Sequence, residues 1–239
     1  MRHAVKDVRN GEHEAVLACG VEKMNLPKEQ FPEVQSNMTN VVDREFDGVN
    51  GINGPSYFSL IAQRHMHEYG TTREELSAVS AKNKTHAASN PYAQFQDEVD
   101  ADDVTDSYPI APPLHLLDCS GITDGGAALL LVSEEKAREL TDTAAYVTGS
   151  GQSCMASNSI NNLPSLSRWP QAEVASREAY EDAGIEDPLR EIDVAEIHDC
   201  FSISEIVEYE ELGFAEEGEG GQFALDGRSQ LDGDVAVNP

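Results

Sequence analysis

The stretch EIHDCFSIS, residues 196 to 204, sets a histidine and a cysteine two positions apart. Both side chains can move protons, and both can answer charge that develops on a carbonyl oxygen or on the carbon beside it. The run before them predicts a strand over Val194 to Cys200. SISE then predicts a capping box, with Ser202 and Glu205 opening a helix that runs through Leu212 and stops at Gly213. In an extended strand His198 and Cys200 share a face. Cys200 would then precede a helix N-terminus, where the dipole and free N–H groups favour a thiolate. General acid/base work or carbonyl polarisation suits such a pair. A core-filling cysteine beside a satisfied strand histidine fits the same residues, and on spacing alone that structural role is the commoner one.

Other reactive residues offer less. His65 and His67 stand two apart on an expected helix, so they face different ways and make a poor metal pair. Cys19, Cys119, Cys154 and Cys200 form no CxxC and no short spacing, which argues against a zinc site or a disulfide framework. Cys19 is expected to end a strand and Cys119 to precede the turn SGITDGG, both as packing residues. GSGQS at 149 to 153 lacks the pattern of a phosphate-binding loop and reads as a turn. A Cys-His hydrolase built on Cys200 and His198 lacks an evident orienting group and oxyanion loop.

The elements that must position these residues alternate between strands and helices. The opening reads as the end of a helix, a turn at Gly11 and a buried strand around Ala15 to Cys19. From Asn25 to about Ala111 the chain is polar and punctuated by Asn and Pro, as expected of an inserted, largely surface subdomain. One helix is clear within it: Thr71 or Thr72 caps, Glu74 and Glu75 fill the first turn, and Leu76 and Val79 begin an apolar stripe. The run Ala127 to Val132 is apolar enough to predict a buried strand, followed by a helix that Ser133 caps. AAYVTGSG predicts another strand, and QAEVASREAYEDAG a helix ended by Gly184. The fold class is α/β with buried sheets.

Charge is the strongest compositional signal. Asp and Glu number 44 against 16 Lys and Arg, for a formal charge of -28 at pH 7. Such a field repels nucleic acid and anionic lipid, and its self-repulsion works against a compact state in dilute salt. At about 1 M salt the screening length falls to roughly 3 Å, so the balance suits a halophile's cytosol. No stretch resembles a signal peptide or reaches the roughly 18 apolar residues of a membrane span. A soluble, cytoplasmic protein is the expectation.

Four blocks together resemble thiolases: GEHEAVLACGVEKM, GTTREELSAVSAKNKTHAASNPYAQF, LLDCSGITDGGAALLLVSEEKA and IDVAEIHDCFSISEIVEYEELGF, in that order. The HDCF tetrad is similar to the sterol-carrier-protein type, which includes archaeal acetyl-CoA acetyltransferases. The resemblance implies a layered αβαβα fold of two similar halves. Residues 1–135 would be the remainder of the first half, with an inserted loop subdomain at about 25–111, and 136–239 the first part of the second. It implies acyl-CoA C-acyltransferase activity, by Claisen condensation of acetyl-CoA or thiolysis of 3-oxoacyl-CoA. Coenzyme A thioesters would be the substrates, with no permanent cofactor and no metal. His198 would line an oxyanion hole and Cys200 would be the acid/base. The family's nucleophilic cysteine would fall before Met1 and its GHP histidine after Pro239, so the chain reads as a thiolase incomplete at both ends. A noncatalytic subunit that binds acyl-CoA or a partner is the alternative. The resemblance also implies a dimer or tetramer, with hydroxymethylglutaryl-CoA synthase and a small zinc-ribbon/OB-fold protein as partners. Arg64, Lys82 and Lys84 are the candidates for holding the nucleotide's phosphates.

Overall fold

The computed structural model describes residues 1–25, 42–155 and 159–239. Helix α1 (Arg2–Arg9) turns at Gly11, which takes a positive φ of 72°, into strand β1 (Ala15–Lys23). Helices α2 (Gly54–Tyr69), α3 (Arg73–Ser89) and α4 (Ala101–Asp106) follow, then the short strands β2 (Pro109–Ala111) and β3 (Leu114–His115). Strand β4 (Asp124–Val132) leads to α5 (Glu134–Leu140), α6 (Pro170–Ala183), α7 (Pro188–Glu191) and β5 (Val194–Ala195). Helices α8 (Ser202–Glu211) and α9 (Gly220–Leu225) and strand β6 (Ala236–Val237) complete the chain. Among the described residues the strands form three two-stranded sheets: β1 antiparallel to β4, β2 antiparallel to β3, and β5 parallel to β6.

Local rules set the helix ends. Thr72 caps α3: its side chain accepts from Glu75 N, while the Glu75 carboxylate accepts from Thr72 N at 2.7 Å. Ser133 Oγ likewise accepts from Lys136 N to start α5. Gly184 closes α6 with φ 76°, and Gly213, also at 76°, follows α8.

The core lies where the sequence did not place it. Ile61 and Ala62 of α2 and Leu76 and Val79 of α3 pack with Ile203, Ile206, Val207 and Tyr209 of α8 and with Phe223 of α9. The segment read as largely surface therefore supplies four of the fifteen buried residues of the main apolar cluster. Its polar look comes from exposed faces of amphipathic helices, whose apolar stripes are narrow.

The β1/β4 ladder, by contrast, is exposed. It pairs Ala15 with Val132 through Lys23 with Asp124, yet Leu17 and Leu130 are 63% and 60% exposed and Val21 86%. Burial of these strands was expected from composition. A strand's composition records the burial it is suited to, whereas its actual burial depends on what packs on it, and here α1 is the helix in contact with both strands.

AAYVTGSG, expected as a strand, forms none. It lies against α6, so closely that a Cβ on Gly149 or Gly151 would stand 2.1 or 1.7 Å from the carbonyl oxygens of Ala179 and Ala175. The glycines serve helix contact and not sheet pairing. Among the described residues no helix is long and apolar enough to cross a membrane.

Candidate functional site

The HDC segment is held by side chains. The expected strand Val194 to Cys200 ends at Ala195, because its parallel partner β6 ends at Val237. Beyond it, Ile197 N donates to Asn238 Oδ1 at 2.8 Å and His198 N to Glu208 Oε2 at 3.1 Å. Asn238 takes a positive φ of 50°, a conformation its short amide side chain tolerates. Phe201 makes an antiparallel bridge with Cys119, and Ser120 N donates to Cys200 O at 3.0 Å.

The predicted capping box does not form. Phe201 occupies the N-cap, with no side-chain cap. Ser202 instead donates to Asp118 Oδ1 at 2.9 Å, and Glu205 is wholly buried with its carboxylate 2.7 Å from Lys82 Nζ. Long-range partners have taken both side chains that would have capped the helix.

His198 is exposed and Cys200 half-buried, with its sulfur 3.3 Å from Ser204 Oγ. Burial pushes the Cys200 thiol up to about 11, against the hydrogen bond from Ser204, and the neighbouring carboxyls of Glu208 and Asp199 add to the rise. This corrects the thiolate expected from the helix N-terminus: removal from water outweighs the hydrogen bonds from Ser204 and the Phe201 backbone that favour the charged form. Cys119 is pushed to about 12, chiefly by burial and then by Asp118, and its sulfur donates to His115 O. Glu208 rises to about 8, mainly through burial, opposed by the His198 N–H and reinforced by Glu205 and Asp199.

Two buried polar networks brace this segment. In one, Glu205 meets Lys82, accepts from Tyr209 OH, and accepts from Asn83 and Asn238 at 2.8 and 3.2 Å; Asn83 also donates to Asp199 at 3.0 Å. In the other, Asp118 joins Ser202, His115 N and Arg73, the last at 2.7 Å. Beside them opens a cavity of about 320 Å³ lined in part by Asn83, Lys84, Phe95, Cys119, Ser120 and Asp199.

Of the three cations considered for phosphates, Lys82 is consumed by Glu205 and Val237 O, and Arg64 pairs with Glu68. Lys84, over the Phe95 ring, lines the cavity. His65 is buried against Thr71 and Glu210 while His67 is exposed, and no cluster of three or more potential metal ligands occurs among the described residues. Cys19 stands mid-strand and exposed, opposite Ala128. The sequence reading missed Ser204, Glu205 and Glu208 as parts of the site. Ser204 and Glu208 stand four apart within the helix that SISE opens, a spacing that puts them on one face of α8.

The thiolase N-terminal domain pattern matches residues 1–135, and the thiolase C-terminal domain-like pattern matches residues 155–239. The chain belongs to the thiolase family. It is similar to the acetyl-CoA acetyltransferase of Methanothermobacter thermautotrophicus, 41% identical over all of this chain and 61% of the relative. The Methanocaldococcus jannaschii acetyl-CoA acetyltransferase is 40% identical, over all of this chain and 60% of its own length. The benzoylsuccinyl-CoA thiolase subunit BbsB of Thauera aromatica is 32% identical over 99% of this chain and 59% of the relative. This thiolase thus spans about three fifths of the length of these relatives. Among solved structures it resembles an Ltp2-ChsH2(DUF35) aldolase, with TM-score 0.84 and 29% identity over 99% of this chain and 61% of that one. The fold is mixed α/β and thiolase-like. Thiolases use coenzyme A thioesters and need no permanent cofactor.

Proposed function

We propose that this chain carries the carbonyl-polarising and proton-handling side of a thiolase-type site, in an acyl-CoA C-acyltransferase that condenses acetyl-CoA or thiolyses a 3-oxoacyl-CoA. The observation that carries the reading is a half-buried Cys200 thiol in hydrogen-bond contact with Ser204, two residues from an exposed His198. In the thiolytic direction a cysteine thiolate from the part of the enzyme that this chain does not span would add to the 3-oxo carbonyl and keep the acyl group as a thioester; the carbon–carbon bond breaks, its electron pair goes to the α-carbon, and Cys200 Sγ–H supplies the proton there. Condensation is the reverse. His198 would donate to the thioester oxygen as negative charge collects there, the role in which fixed donors contribute most. The site is divided between two halves, residues 1–135 and 136–239, and Lys84 is the basic residue proposed to meet the coenzyme's phosphates.

The test joins this chain to the parts of the Methanothermobacter relative that it does not span and follows acetoacetyl-CoA formation and cleavage. His198→Ala is expected to lower kcat by about 10²- to 10³-fold, as loss of one oxyanion donor does elsewhere. An unchanged kcat would make the histidine structural.

A second reading is a noncatalytic thiolase-like subunit that binds acyl-CoA or a partner. The names of two relatives support its partner-binding part: BbsB is a thiolase subunit, and the aldolase structure is named for Ltp2 together with ChsH2. A homodimer or tetramer, and the partners hydroxymethylglutaryl-CoA synthase and a zinc-ribbon/OB-fold protein, belong to these proposals, as do a cytoplasmic location and an archaeal, halophilic source. The last has its own test. With a formal charge of -28, the chain is expected to lose its helical circular dichroism as KCl falls below about 1 M, where screening over roughly 3 Å is lost. Equal melting temperatures in dilute buffer and in molar salt would contradict the halophilic reading.

A further inference from the structure

Ser204 and Glu208 lie four residues apart on α8, and Cys200 stands two residues before that helix; both helix residues touch the HDC segment directly. Ser204 Oγ lies 3.3 Å from the Cys200 sulfur, and Glu208 Oε2 accepts from the backbone N of His198 at 3.1 Å. That contact matters because the segment between β5 and α8 forms no strand of its own: beside the Phe201–Cys119 bridge and the Ile197–Asn238 bond, it is the Glu208 carboxyl that takes the N–H of His198. We propose that Glu208 is a positioning residue for the His198–Cys200 pair: its carboxyl tethers the backbone at His198, and its charge, when present, holds Cys200 in the thiol form. The inference rests on Cys200 as the proton carrier of the proposed function and adds what sets its proton affinity.

The charge is present only over part of the pH range. Burial lifts the Glu208 carboxyl to about 8, so it is mostly neutral at pH 7 and mostly ionised at pH 9. Ionised, it opposes formation of a second negative charge on Cys200. The other titratable groups around the two residues are Asp199 and His198 from the same segment, Glu205 from α8, Cys119 across the bridge, and Lys82 of α3, which acts on Asp199. Glu208 differs from these in accepting from the backbone N of His198, and its own charge changes near pH 8.

The experiment alkylates the 239-residue chain with iodoacetamide between pH 7 and pH 9.5 and quantifies each cysteine by peptide mass spectrometry. Glu208→Gln keeps a carbonyl oxygen to accept from His198 N and removes the charge. Its Cys200 is expected to react at the wild-type rate at pH 7 and about threefold faster at pH 9. That figure is what a fall of about one unit in the thiol's proton affinity would give, about tenfold in thiolate less the lower nucleophilicity of a less basic thiolate. Glu208→Asp restores the charge and is expected to return the pH 9 rate to that of wild type. An unchanged Cys200 rate in Glu208→Gln overturns the proposal. A parallel rise at Cys119 overturns it as well, because the residue would then act on packing and not on the thiol. The readout needs no turnover, so failure of the acyltransferase reading leaves its own distinct mark.

Discussion

Cys200→Ala is expected to abolish carbon–carbon bond formation while leaving acyl transfer intact. In the hybrid polypeptide that joins this chain to the remaining parts of the Methanothermobacter relative, acylation and condensation are separate half-reactions. Only the second needs a proton moved at an α-carbon. A group held at about 11 keeps its proton at neutral pH and so serves as the acid in thiolysis. The same high proton affinity makes the thiolate, once formed, a strong base toward a thioester's α-hydrogen in condensation. Loss of a positioned acid/base costs about 10²- to 10⁴-fold, enough to take condensation below detection against intact acyl transfer. The measurement pairs acetoacetyl-CoA formation with transfer of a labelled acetyl group to the protein. Condensation within threefold of wild type would remove Cys200 from the mechanism.

Glu205→Ala is expected to cost about 3–5 kcal/mol of stability, the usual penalty for leaving one member of a buried ion pair alone. Glu205 is wholly buried, and without it the Lys82 ammonium, whose side chain is 3% exposed, keeps Val237 O as its remaining hydrogen-bond partner. Burial already pushes Lys82 down from the ordinary lysine value, and Glu205 is the main opposing influence. The same carboxylate accepts from Asn238, which tethers Ile197, so the damage reaches the HDC segment. Lys82→Met alone should be nearly as harmful. The double variant Lys82→Met/Glu205→Leu should recover part of the loss, since the apolar pair has no buried charge to desolvate, while Tyr209 OH, Asn83, Asn238 and Val237 O still lose a hydrogen-bond partner. Urea unfolding midpoints under identical salt decide the matter. Single variants within 1 kcal/mol of wild type would show that the pair braces nothing.

Much of the local structure was legible in the residues. Thr72 with Glu75, Ser133, Gly184 and Gly213 mark helix ends by chemistry that acts within a few residues, and each appears where that chemistry puts it. The strands around Ala15 to Cys19 and Ala127 to Val132 were likewise legible, as was the thiolase resemblance carried by HDCF and its companion blocks. Tertiary structure decided what depends on partners distant along the chain. It exposed the β1/β4 ladder, moved the main core onto α2, α3, α8 and α9, and ended β5 at Ala195. It also drew Ser202 to Asp118 and Glu205 to Lys82, where the local pattern had written a capping box. The Cys200 thiol shows the physical reason most plainly. Its place before a helix is a local fact from which a thiolate was expected, whereas its burial depends on the whole fold and raises the thiol against the local hydrogen bonds from Ser204 and the Phe201 backbone.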